Sequence, residues 1–152
     1  MKKQIFILLT VALSASLFAQ TPNPKYNKTF ADSLGANEYG MKKYVLVILR
    51  TGSNKTTDKR FIDSCFKGHF SNMGAMSKAG KLVVAGPFSK NDKNYRGIFI
   101  LNVQTIEEAK ELVKGDSAVK ENILEPEFIV WNGSAALPMY LLYHDKAAKE
   151  NF

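Results

Sequence analysis

Between residues 43 and 131, four short apolar runs and two stretches of helical periodicity alternate as β-α-β-β-α-β, an order that restricts the fold more than any other feature of the chain. Residues 44–49, Tyr-Val-Leu-Val-Ile-Leu, form a continuous apolar run of strand length that ends in Thr51-Gly52-Ser53-Asn54. Asp58 is a candidate N-cap. After it Ile62, Cys65, Phe66, Met73 and Met76 recur at spacings of three and four, predicting an amphipathic helix to Ala79 with Gly80 as its stop and His69 on the same stripe. A second strand over 82–85 closes at Gly86-Pro87, and a polar loop over 89–94 leads to a third strand over 97–103. Thr105-Ile106-Glu107-Glu108 reads as a capping box, in which hydroxyl and carboxylate satisfy each other's backbone amides. The helix it starts ends near Gly115, and a turn over 116–122 precedes a fourth strand over 128–131.

This order predicts an α+β domain of ferredoxin-like split β-α-β type, with a four-stranded antiparallel sheet and two helices on one face. All four strands are apolar at both odd and even positions, so both sheet faces are expected to be hydrophobic. The helices cover one of them. Burying a large apolar side chain contributes roughly 1.5–3 kcal/mol, so several on the open face favour association, and a homodimer through that face is expected. The competing arrangement folds the C-terminal tail over the face within one chain.

Ahead of the domain, Met1-Lys2-Lys3 precedes a short apolar run from Ile5 to Leu13 and the small-residue exit Ser14-Ala15-Ser16-Leu17-Phe18-Ala19. A charged start, an apolar run too short for a spanning helix of about 20 residues and small residues at the end describe a secretory signal peptide over 1–19. Cleavage is expected after Ala19. The mature protein is then exported to a periplasmic or extracellular location, without stable membrane insertion. Residues 20–41 are polar and broken by Pro22, Pro24, Gly35 and Gly40, and read as a linker; the domain spans 42–134, and 135–152 form a tail whose run over 139–143 could add an edge strand.

Loss of Lys2 and Lys3 lowers the net charge from +7 to +5. The remaining lysines are scattered and not interleaved with aromatics, which argues against nucleic acid as a partner. Cys65 is the single cysteine, so an internal disulfide and a CxxC site are both excluded. On its apolar stripe it reads as a small packing residue.

His69 is the one histidine inside the domain, and imidazole is the side chain suited to proton transfer near neutral pH. A histidine on a helix stripe can equally be a structural residue satisfied by a neighbour. Asp116, just past the second helix, suits both capping of the next turn and pairing with a histidine. Gly86 allows close backbone approach of a ligand and Pro87 fixes the exit of its strand, while Asp92 and Arg96 flank the adjoining loop as candidate binding residues. No HExxH, Walker or GxSxG pattern occurs, and no cofactor or metal is expected.

His69, Ala79-Gly80-Lys81-Leu82 leading to Ala85-Gly86-Pro87-Phe88, Arg96-Gly97-Ile98-Phe99, Thr105-Ile106-Glu107-Glu108-Ala109 and Asp116 together resemble the YCII-related (YciI-like) domain family over about 43–133. The resemblance implies a dimeric α/β barrel with a pocket centred on a histidine and an aspartate, here His69 and Asp116, with Gly86 and Pro87 as the strand-end pair. Asp92 is the alternative carboxylate. It also implies small-molecule chemistry, with dehydrochlorination of a chlorinated hydroxyquinol in one branch. The chain departs from the family pattern in Ser117, where many members carry proline, in the export signal and in the tail. Two functions compete: a cofactor-free lyase or isomerase acting on a small molecule through His69 and Asp116, and a non-catalytic dimeric module that binds a small ligand or serves interaction.

Overall fold

Strand β1, Met41–Thr51, runs through the middle of a four-stranded antiparallel sheet, paired on one side with β3, Tyr95–Leu101, and on the other with β4, Leu124–Ser134. Strand β2, Leu82–Pro87, lies outside β3 and completes the order β2-β3-β1-β4. This computed structural model describes residues 23–149; the predicted signal peptide lies outside them. Because β3 is antiparallel to both β1 and β2, those two run parallel with β3 between them, joined by helix α2, Lys59–Lys78. Helix α3, Ile106–Val113, and the short α4, Ser117–Lys120, connect β3 to β4. The chain is therefore α+β, with the expected β-α-β-β-α-β order and one added turn of helix.

Alternation along the strands decides which side chains meet the helices. Val45, Val47 and Leu49 align with Phe99 and Leu101 on one face, where they form a core with Cys65 and Met76 of α2, Ala109 and Val113 of α3, and Ala118 of α4. The opposite face carries Leu46 and Ile48 in register with Ile100 and Ile98, all half-buried. Beside them Ile129 and Trp131 of β4 remain 39% and 37% exposed. Both faces are apolar, as the sequence predicts; the helix face is packed, while the opposite face is covered only in part, with Tyr44 buried there beside Trp131.

The helix termini follow their capping signals. Asp58 accepts the amides of Arg60 and Phe61 at the start of α2, Gly80 ends that helix at φ +67, and the Thr105–Glu108 box is formed in both directions. Three segments differ from expectation. The arm before β1 contains helix α1, Lys28–Leu34, which starts at the Asn27 cap and ends at Gly35, with φ +68. Strand β4 begins four residues before its apolar run because an edge strand tolerates Pro126, whose missing N–H needs no ladder partner, and because Glu127 pairs with Arg50 across β1. Among the described residues the tail contributes no edge strand: Pro138 opens a 3-10 turn, Leu137–Tyr140, followed by helix α5, Leu141–Ala147. Its Tyr140 hydroxyl donates to the Val83 carbonyl of β2, so the tail contacts the sheet yet leaves Ile129 and Trp131 partly open.

Candidate active site

His69 follows Cys65 by four residues and precedes Met76 by seven, so the α2 stripe that builds the core also turns this imidazole toward the sheet. There it lies on the Phe99 ring of β3, with centroids 5.7 Å apart and planes inclined by 25°. Phe66 and Phe70 of α2 meet it edge-on at 5.8 and 5.4 Å. The imidazole is thus walled by three aromatic rings and is only 7% exposed.

Asp116 arrives from the other direction. The chain leaves α3, passes Gly115 and takes an extended conformation at Asp116, which becomes the N-cap of α4. Its Oδ1 accepts the amides of Ala118 and Val119 at 2.9 and 3.3 Å, and its Oδ2 accepts from His69 Nδ1 at 2.6 Å. The carboxyl group is completely buried. Three N–H donors converge on it, the environment an acceptor-only carboxylate requires.

With Nδ1 donating to Asp116, a neutral imidazole carries its lone pair on Nε2. That nitrogen has no hydrogen-bond partner among the described residues. Nor is it sealed from solvent: Arg50 Nε is the one enclosed side-chain nitrogen or oxygen left without a partner among those residues. The arrangement holds the imidazole at one nitrogen and leaves the other without a hydrogen-bond partner among the described residues.

The two candidate catalytic residues, 47 positions apart, are thus brought into direct contact. The four candidate binding residues sit on the β2–β3 hairpin and make no hydrogen bond to the pair. Pro87 aligns with Gly97, on the face that carries Phe99, whereas Gly86 aligns with Ile98 on the opposite face. Asp92 and Arg96 are exposed, and the side chain of neither makes a hydrogen bond or ion pair among the described residues. The carboxylate bonded to His69 is Asp116, and Asp92 remains solvated. Sequence reasoning missed the aromatic walls. Phe66 and Phe70 were visible as helical neighbours of His69, but nothing local connects Phe99 to it. Burial, then the Glu121 carboxylate, push the Cys65 thiol up, which disfavours the thiolate and suits a packing role.

Two surface clefts lie around the start of α3, one lined by Lys81, Val103, Glu107, Glu108, Glu111 and Leu112, and neither includes His69 or Asp116. Among the described residues no helix is long and apolar enough to cross a membrane.

No protein-family profile matches the chain, and no curated protein does. Among solved structures it is similar to 5-chloro-2-hydroxyhydroquinone dehydrochlorinase (TftG) from Burkholderia phenoliruptrix AC1100 in complex with 2,5-dihydroxybenzoquinone. The two share 20% identity over 57% of this chain and 90% of the other, with a TM-score of 0.39.

Proposed function

We propose that the chain is an exported, YCII-like protein of ferredoxin-like fold that acts as a cofactor-free lyase or isomerase on a small enolisable or aromatic molecule. The observation that carries this reading is the buried 2.6 Å contact between His69 Nδ1 and Asp116 Oδ2, which leaves Nε2 without a partner among the described residues. In the reaction Nε2 takes a proton from a substrate carbon next to an activating group, and the carbon's electron pair moves into that group. Asp116 orients the ring and stabilises the imidazolium so formed. The proton then returns at another carbon, giving isomerisation, or a leaving group departs and the proton is released with it, giving elimination. The flat apolar walls of Phe66, Phe70 and Phe99 suit a planar substrate. The partner in this reading is a second copy, docked through the face of Leu46, Ile48, Ile98, Ile100, Ile129 and Trp131.

A second reading is favoured by the burial of His69 among aromatic rings: a non-catalytic dimer that binds a small ligand. Proton exchange separates the two. Mature protein, beginning at Gln20 by intact mass after secretion, is incubated in D2O with a panel of hydroquinones and enolisable ketones. The enzyme reading expects catalysed exchange of a C–H proton that drops at least about 100-fold in His69→Gln, the lower range for loss of a general base. Ligand binding with no exchange, unchanged in His69→Gln, leaves the binding module.

A further inference from the structure

Helix α2 carries two interior glycines, Gly68 and Gly74, although glycine is the poorest helix former after proline. Their surroundings differ. A Cβ on Gly74 would meet nothing within 4 Å, whereas a Cβ on Gly68 would fall 2.1 Å from Ser117 Oγ and 2.6 Å from Ser117 Cβ. Ser117 is the residue after Asp116, and Gly68 is the residue before His69. Helices α2 and α4 therefore come together beside the hydrogen-bonded pair so closely that the Ser117 side chain occupies the space a Cβ at 68 would need. The other flank of Asp116 has a matching contact. A Cβ on Gly115 would lie 2.6 Å from Asn72 Oδ1, and Asn72, one helical turn beyond Gly68, donates to the Leu112 carbonyl at 3.1 Å.

We infer that Gly68, through its contact with Ser117, is a positioning residue that sets the approach of Asp116 to His69 and so holds the imidazole in its Nδ1–H form. The inference rests on the proton-transfer reading of His69 for its functional meaning, but its geometry is independent of any substrate. Rotation of the serine hydroxyl can relieve the overlap with Oγ. It cannot relieve the overlap with Cβ, so an alanine at 68 must push α4 away or turn it.

The test reads the His69 ring directly by 15N NMR of the mature protein, following the Nδ1–H tautomer and its slowly exchanging proton. Wild type and Gly74→Ala are expected to show both. Gly68→Ala is expected to lose the slowly exchanging proton. Gly68→Ala/Ser117→Gly is expected to regain it, because Ser117 Cα lies at an ordinary 3.8 Å from the new Cβ, whereas Gly68→Ala/Ser117→Ala, which keeps the offending Cβ, is not. Retention of the signal in Gly68→Ala overturns the inference. So does a Gly68→Ala/Ser117→Gly protein that fails to regain it, whether the bond or the fold is lost. Failure of the catalytic reading would appear separately, as absent proton exchange in a protein whose His69 signal is intact.

Discussion

Asp116 serves two kinds of donor at once, the amides of α4 through Oδ1 and the imidazole of His69 through Oδ2, and two substitutions separate these roles. Asp116→Ala removes both: a hydrogen bond to a charged group contributes roughly 1.5–3 kcal/mol, and a lost N-cap costs about 1 kcal/mol more. Asp116→Asn keeps an oxygen for the cap and loses the charge, so it is expected to be less destabilising than the alanine variant by about 1 kcal/mol. Urea unfolding of both variants checks this, and equal midpoints would remove the cap from the account. His69 and Asp116 were both readable in the sequence because each stands at a position with a local meaning, one on a helix stripe and the other at a helix start. Phe99 was not, because its meeting with His69 depends on how α2 lies over β3.

At the scale of single elements, α3 depends on its capping box for its first turn. Thr105→Ala is expected to cost about 1 kcal/mol by thermal or denaturant unfolding. The amide of Gln104, then the hydroxyl and amide of Thr105, hold the Glu108 carboxyl below the usual carboxylate range. A carboxyl group held lower in the folded than in the unfolded chain stabilises above its unfolded value and loses that contribution as pH falls through its folded value. Wild type is therefore expected to exceed Glu108→Gln in stability at neutral pH, with the gap closing below about pH 4.3. A gap that is constant with pH would show that the charge plays no part. This helix was legible because its signal lies within four consecutive residues. Helix α1 was passed over because it buries no residue and so has no apolar stripe, although Asn27 and Gly35 mark its ends. In the tail the run of Tyr140, Leu141, Leu142 and Tyr143 suits a strand as well as a helix; Pro138 decides for the helix by starting a turn.

For the whole molecule, the proposed assembly turns on the sheet face opposite the helices. Ile129 pairs with Leu46 there and is still 39% exposed, so Ile129→Asp places a charge in the proposed interface without entering the packed core. Light scattering across a concentration series is expected to show a wild-type dimer. The variant should dissociate at least tenfold more readily, a change of about 1.4 kcal/mol. A wild type that remains monomeric throughout the series would leave the face without its second copy. By itself the sequence determined the β-α-β-β-α-β order of the domain, the apolar character of both sheet faces and the candidates His69, Asp116 and Asp92, because periodicity, caps and turn residues act over a few neighbouring positions. Only the tertiary structure decided which carboxylate meets the histidine, which rings wall it, and that Gly68 lies against Ser117. Those contacts join residues far apart in the chain, and their distances follow from the packing of α2 on β3 and α4, which no local pattern encodes.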